Sequence, residues 1–497
     1  MAAMAPKDFN IHMLFFPLMS KSHTLPMVEM AKLFAARGAD VTILITPLNA
    51  SLVSGADSSI RIQLIPFPSN FSSSLPGTSS HTVSDLFMPS LSAETILRDP
   101  FDQILKELRP DCVVSDLFMP WTYAVAAARG VPRLVFDGFG FFARCLEDAF
   151  LKQNPLQNLS PETDYIVLNG LPHRMQFLRS QFPDPDEWAK PTPLSQIWNQ
   201  AAEVDPKSYG VLVNSFYELE PDYVNHYRNV IGGKAWGVGP VALSNHGSVK
   251  NDNECLKWLE GKSPRSVVYI CFGTLSDFSS TQLREIALGI LASGHPFIWA
   301  VRNTSNDWIP EGFEEKIEGR GLLIRGWVPQ LLILNHPSVG GFVTHCGWNS
   351  CLEAISAGLP LATWPLFGEQ FYNEKMVVDL LGIGVEVGAK EYGLMMEDRK
   401  EVVTAAMVEA AVRKLMGKSE EADERRRKAK ELGLKARRAV AKGGSSYNDV
   451  GNLIQELMEK KEKGFHQIQI LKTKIYKIFE IKNRIIIHYL KMNKFLN

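Results

Sequence analysis

Along most of the chain, short apolar runs alternate with longer stretches in which apolar residues recur every three or four positions. The first pattern is that of a buried strand, the second that of an amphipathic helix. Ile11–Phe16 is a predicted strand, Leu25–Arg37 a predicted helix stopped at Gly38, and Asp40–Thr46 a second strand. Cys112–Ser115, Trp121–Arg129 closed by Gly130, and Arg133–Phe136 repeat this order, and Gly210–Asn214 adds another strand. The alternation restarts with a strand at Val267–Phe272, a helix at Ser280–Ser293 and a strand at Pro296–Val301, and it continues to Val387. Such alternation predicts parallel sheets covered by helices on both faces. Between the two blocks, Ser244 to Glu254 is polar and without period. The expected organisation is an α/β domain over 1–242, a linker over 243–262 and a second α/β domain over 263–463. Seven prolines between residues 155 and 193 predict irregular, ligand-facing loops there.

A length of 497 residues suits two or three domains at roughly 150 residues each. Lys plus Arg (53) nearly cancel Asp plus Glu (54), so no long-range field gathers nucleic acid or an anionic membrane. At 45% hydrophobic residues the chain has ample apolar surface to bury, which excludes overall disorder. Six cysteines without CxxC spacing, most of them inside apolar runs, read as buried thiols in a reducing compartment. Ile11 to Met19 is short and contains Pro17, which fits a strand and not a secretory leader. No run approaches the ~20 apolar residues that span a bilayer. A cytoplasmic location and a monomeric state are the expectations. Residues 464–497 stand apart, with eight Ile and seven Lys or Arg against one acidic residue. They read as a poorly ordered appendage in preference to a membrane-surface helix.

Open α/β sheets bind ligands beyond the C-terminal ends of their strands, so candidate chemistry is sought there. His23 lies in the segment after the first strand and Asp116 just after Cys112–Ser115. Each has an ordinary reading, a loop histidine bonded to backbone and a helix N-cap. If the two strand ends meet, they make a general base with a partner that fixes its tautomer. Gly138-Phe-Gly140-Phe-Phe-Ala143 formally matches the dinucleotide fingerprint GxGxxA. Two bulky Phe residues fill its turn and the first βα unit lacks it, which argues against an NAD(P)-linked oxidoreductase. Gly340 to Ala354 reads as a strand, a tight glycine turn and a helix starting near Asn349. Its free N–H groups, beside His345 and Ser350, make a ready anion site. Trp327, Gln330, Glu353, Glu369 and Gln370 cluster at other strand and loop ends.

The run from Trp327-Val-Pro-Gln330 through His345-Cys-Gly-Trp-Asn-Ser350 to Phe367-Gly-Glu369-Gln370 closely resembles the signature box of plant secondary-product UDP-glycosyltransferases. The likeness extends through FFPLMSKSHTLPMVEMAKLFAARG and VVSDLFMPWT in the first domain and on to about residue 460. It implies the GT-B fold, two facing Rossmann-like domains with an interdomain cleft. It also implies transfer of sugar from a UDP-sugar to a small acceptor, with inversion and without a metal ion or other cofactor. By the same resemblance His23 is the base and Asp116 its partner. Trp327 stacks on uracil beside Val328 and Gln330. Thr274, His345, Trp348, Asn349 and Ser350 lie around the diphosphate, Glu353 accepts from the ribose, and Glu369 and Gln370 grip the sugar. The terminal Gln goes with UDP-glucose as donor.

Two features depart from that pattern. Phe139 stands where relatives usually carry a small hydroxyl residue near the sugar, and the tail after residue 463 has no counterpart. Glu369 replaces the commoner Asp while keeping the carboxylate. The first domain is most similar to the branch acting on flavonoids, coumarins and triterpenoid or steroidal sapogenins. Phe118, Phe139, Phe141 and Phe142 are candidates for an apolar acceptor cleft, with plain core packing as the alternative. UDP-galactose or UDP-xylose as donor, and a catalytically silent binding protein on the same fold, are the rival functions.

Overall fold

A computed structural model describes residues 11–53, 59–67, 83–158, 165–184, 190–244, 254–303, 305–394 and 398–464. The first sheet comprises β1 (His12–Phe16), β2 (Asp40–Ile45), β3 (Ile60–Leu64), β4 (Cys112–Asp116), β5 (Arg133–Phe136), β6 (Gly210–Val213) and β7 (Ala235–Gly237). Their order is β3-β2-β1-β4-β5-β6-β7 and every pairing is parallel. The second sheet comprises β8 (Val267–Cys271), β9 (Phe297–Val301), β10 (Gly321–Arg325), β11 (Val339–Thr344), β12 (Leu361–Thr363) and β13 (Gly384–Glu386). It is also all parallel, in the order β10-β9-β8-β11-β12-β13.

The strands read as continuous apolar runs because both faces of each sheet are covered. In β1, Met13 and Phe15 face one core while Leu14 and Phe16 face another. In β8, Val268 and Ile270 are likewise divided from Val267 and Tyr269. The two-residue period of a strand makes this division automatic.

Six helices matter for the site or its support: α1 (Lys21–Ala36), α2 (Trp121–Ala128), α3 (Phe141–Gln153), α4 (Pro193–Val204), α5 (Ser280–Ser293) and α6 (Trp348–Ala357). Helix α5 matches its predicted span, with Ser279 Oγ accepting from the Gln282 amide at 3.1 Å and Gly294 closing it at φ +77°. Helix α1 begins four residues before the predicted start and carries Pro26 inside it. Proline in a helix removes the amide that would bond the carbonyl four residues back. The carbonyl so released is that of Ser22.

The proline-rich stretch is more ordered than expected. Tyr165–Leu168 and Met175–Leu178 form an antiparallel hairpin. Thr192 caps α4 by accepting from the Ser195 amide at 3.1 Å, and Pro193 occupies a first-turn position where its missing amide costs nothing. Of the expected linker, residues 245–253 lie outside the described residues and Glu254–Glu260 form a helix packed into the second domain's core. The basic tail beyond residue 464 also lies outside them.

Helices α7 (Gln370–Lys375), α8 (Ala405–Met416), α9 (Glu420–Val440) and α10 (residues 445–464) lie further along the chain. Helix α10 packs on the first sheet. Its Val450, Leu453, Ile454 and Leu457 enter the core made by Met13, Phe15 and Trp236, on the first sheet. Asp449 Oδ2 accepts from the Gly237 amide at 2.9 Å and from Arg228 at 2.6 Å, and Lys461 pairs with Asp111 at 2.8 Å. The helical period of this segment shows that it packs, but it carries no mark of which sheet it packs on. Among the described residues no helix is long and apolar enough to cross a membrane. Leu453→Ala is expected to destabilise the first domain by about 2–5 kcal/mol, read as a lowered calorimetric transition for that domain.

Candidate active site

Strands β1 and β4 are neighbours with Phe16 opposite Ser115, so the segments leaving them emerge side by side. This brings together residues 93 positions apart. His23 Nδ1 lies 2.7 Å from Asp116 Oδ2, while Asp116 Oδ1 accepts from the Phe118 amide at 3.0 Å. Asp116 is wholly buried, and the buried Arg133 donates to its carbonyl at 3.0 Å. A carboxylate at Nδ1 fixes the proton there and leaves the lone pair on Nε2. Burial by itself lowers the His23 pKa. Asp116, by charge and hydrogen bond, outweighs it with help from Glu369 and Asp137, and the net displacement is upward. The Phe118 ring packs edge-on against the imidazole at 5.7 Å.

The second sheet supplies the opposite wall. Cys271 of β8 pairs with Thr344 of β11, so Gly273 and His345 leave adjacent strands. The His345 ring is wedged between two glycines: a Cβ at Gly273 would stand 2.6 Å from it and one at Gly347 would stand 2.5 Å away. Burial pushes the His345 pKa down to about 4, so the imidazole is neutral at pH 7. Helix α6 opens at Gly347 with no cap from that residue; the Trp348 amide donates to Glu369 Oε1 at a long 3.4 Å, and the amides that follow are left to a ligand. Gln330 ties this wall together. It donates to Ser350 Oγ at 3.2 Å and Glu353 Oε2 at 2.8 Å and accepts from the Tyr269 hydroxyl at 3.1 Å. Burial raises Glu353 and Glu369 to about 7 each. Gln370 accepts the Leu366 and Phe367 amides at 2.9 and 3.1 Å through its carbonyl oxygen, which leaves its NH2 for the cavity. Trp327 stands 70% exposed, a free aromatic face.

These walls enclose one cleft of about 1540 Å³ between the domains, larger than the ~300–1,000 Å³ typical of a single small-molecule site. His23, Thr274, Trp327, Val328, Gln330, His345, Asn349, Ser350, Glu353, Glu369, Gln370, Phe118 and Phe139 all line it. The cleft has the size for two substrates, with one polar wall and one aromatic wall.

Residues 246–410 match the family described as UDP-glucoronosyl and UDP-glucosyl transferase. The chain is 45% identical over 477 residues to UDP-glucose flavonoid 3-O-glucosyltransferase 7 of Fragaria ananassa, covering 90% of this chain and 96% of that protein. It is 42% identical over 471 residues to scopoletin glucosyltransferase of Nicotiana tabacum, covering 90% and 98%. The crystal structure of UGT73P12 of Glycyrrhiza uralensis, complexed with glycyrrhetinic acid 3-O-monoglucuronide, superposes with a TM-score of 0.87 at 38% identity, covering 94% of this chain and 99% of that one. This chain belongs to the UDP-glycosyltransferase family. Its fold is GT-B.

In this glycosyltransferase several candidate residues take different parts from those expected. Phe142 does not line the cleft. It is buried against Tyr223 at 4.7 Å, because α3 turns Ala143, Glu147, Phe150 and Leu151 toward the cavity and Phe142 lies one step off that face. The Trp348 indole is spent on the domain seam, donating to the Asn214 carbonyl at 2.8 Å. Asn349 Nδ2 is spent there too, donating at 3.0 Å to the Ser22 carbonyl that Pro26 leaves free. The GxGxxA stretch offers no dinucleotide site. The Glu220 carboxylate already occupies the start of α3, accepting the Phe141 and Phe142 amides at 3.0 and 2.6 Å.

Sequence reasoning missed Asp137, Glu147, Trp198 and Tyr372, all of which line the cleft. Glu147 had a legible signal, a lone carboxylate within the face formed by Ala143, Phe150 and Leu151. Asp116→Asn is expected to bring the His23 titration midpoint down, because burial then meets weaker opposition. Histidine Cε1 resonances followed by NMR across pH 4–9 in wild type and variant measure it.

Proposed function

We propose that this protein transfers glucose from UDP-glucose to a hydroxyl of a small lipophilic acceptor, with inversion and without a metal ion. The observation that carries the reading is the 2.7 Å His23–Asp116 pair opening on the same cleft as the box residues of the second domain. The acceptor oxygen attacks the anomeric carbon, His23 Nε2 takes its proton, and the bond from that carbon to the diphosphate breaks. An α-linked donor then gives a β-glucoside. Asp116 stabilises the imidazolium as it forms.

The diphosphate leaves with developing negative charge. The start of α6 and the neutral His345 supply oriented N–H donors where that charge grows, the kind of preorganised field that can stand in for a cation. Trp327 offers its exposed face to the uracil beside Val328. Glu353, held by Gln330, accepts from the ribose, and Thr274 and Ser350 adjoin the phosphates. Asn349 contributes through its backbone amide, and its side chain together with that of Trp348 holds the domains together. Glu369 and Gln370 take the sugar hydroxyls. Phe139, 6.2 Å from Trp198, belongs to the acceptor side.

The acceptor is a flavonoid, coumarin or sapogenin type of aglycone, a reading supported by the aromatic wall and by the relatives' named activities. No disulfide joins any of the six cysteines, in keeping with work in the reducing cytoplasm. One chain supplies every wall of the cleft, in keeping with a monomer.

Purified protein given UDP-glucose and a mixed panel of flavonoids, coumarins and sapogenins is expected to add one hexose to one aglycone class, read by mass spectrometry. Gain only with UDP-galactose or UDP-xylose would reassign the donor. His23→Ala is expected to lose transfer by about 10²–10⁴-fold while UDP still raises its melting temperature. In wild type kcat/KM falls as pH drops through the raised His23 pKa, since the imidazolium has no lone pair to offer. Near-normal turnover in His23→Ala would overturn the assignment of the base.

A further inference from the structure

In the aromatic lobe of the cleft, away from the sugar residues, the α3 face that lines the cavity carries one charged side chain among Ala143, Phe150 and Leu151. We propose that Glu147, framed by Trp198 and Tyr372, is a second recognition point for the acceptor, taking a hydrogen bond from a hydroxyl remote from the one that is glycosylated. The inference rests on the glycosyl-transfer reading above and narrows its substrate class.

Unused hydrogen-bonding capacity supports it. A carboxylate offers roughly four acceptor positions. The Trp198 side chain lies beside Glu147 and favours its ionised form, and the Tyr372 hydroxyl lies at a long 3.4 Å from its Oε2. Among the described residues neither Lys nor Arg pairs with it. Burial raises its pKa to about 7, and the charge of Glu369 adds to the rise. A buried carboxylate with positions to spare gains from any hydroxyl that reaches it.

Placement gives the shape of the ligand. From His23 the wall runs to the Phe118 ring at 5.7 Å and from there to the Trp198 ring at 5.9 Å, and Trp198 adjoins Glu147. A flat, rigid skeleton of two or three rings lying on this wall presents one end to His23 and the other to Glu147. Charge then selects what that far end carries. Glu369 and the Tyr372 and Tyr392 hydroxyls are the other titratable groups near Glu147. A hydroxyl is accepted there, whereas a carboxylate meets acidic groups. The class inferred is an aglycone with hydroxyls at opposite ends of a rigid polycyclic frame.

The test compares 7-hydroxyflavone with 7,4′-dihydroxyflavone, each with UDP-glucose and the full chain, in wild type, Glu147→Leu and Glu147→Gln. In assays run well above pH 7, where Glu147 is ionised, wild type is expected to show a KM about tenfold lower for the dihydroxy acceptor at similar kcat, the size of one hydrogen bond to a charged group. Glu147→Leu is expected to erase this preference. Glu147→Gln keeps a weaker acceptor and is expected to retain about threefold; it carries the test if Glu147→Leu no longer gains thermal stability from UDP. A preference of the same size in wild type and in a folded variant overturns the subsite. So does an equal rise of both KM values, which marks a structural role. Wild-type transfer to both acceptors without preference overturns the subsite alone. Failure of wild type on these two and on the whole panel overturns the transfer reading beneath it.

Discussion

Asp116, buried at the end of β4, holds the His23 ring with one oxygen and the Phe118 amide with the other. Both bonds depend on β1 and β4 lying side by side, and much of the cleft is arranged around them. Orienting His23 through Nδ1 leaves its other nitrogen as the basic one. Anchoring Phe118 starts the aromatic wall that continues to Trp198. Arg133 beneath, bonded to Ser115 Oγ at 2.7 Å and paired with Asp205 at 3.2 Å, fixes the backbone that carries the carboxylate. A buried carboxylate is costly unless its oxygens are satisfied. Here the groups that satisfy it are the ones the cleft needs in place.

The two domains meet through groups that each leaves unsatisfied. Pro26 cannot bond the Ser22 carbonyl, and Asn349 does so from the opposite domain. Asn214 accepts the Trp348 indole through its carbonyl and donates to Asn349 Oδ1 at 3.4 Å. A Cβ on Gly140 would come within 2.8 Å of the Trp348 ring, so only glycine admits the indole there. Helix α10 returns to the first sheet and ties residues 445–464 across the molecule. The cleft is thus closed from behind and open toward solvent where Trp327 stands.

Desolvation divides the labour among its titratable groups. His345, without a charged partner, is driven neutral, whereas His23, beside carboxylates, is held above its ordinary value. Glu147, Glu353 and Glu369 are all raised to about 7 by burial, and they differ in what surrounds them. Glu353 has the Gln330 amide, Glu369 faces the start of α6 and His23, and Glu147 has only neutral donors. Their parts in a reaction follow from those neighbours more than from the residue type.

The order of strands and helices was written locally, since the periods of two and of three to four belong to consecutive residues and survive in any fold that buries them. The long motif from Trp327 to Gln370 and the candidates His23 and Asp116 were legible for the same reason: each sits just beyond a recognisable strand. What lay beyond local pattern needed the tertiary structure. Adjacency of β1 and β4 turned two isolated side chains into a hydrogen-bonded pair. The rotation of α3 sent Phe142 into the core and Glu147 into the cleft. The seam claimed Trp348 and Asn349, and α10 chose the first sheet. A sequence records which residues are apolar or charged; which of them lose water together, and beside which neighbour, is decided only when distant segments pack.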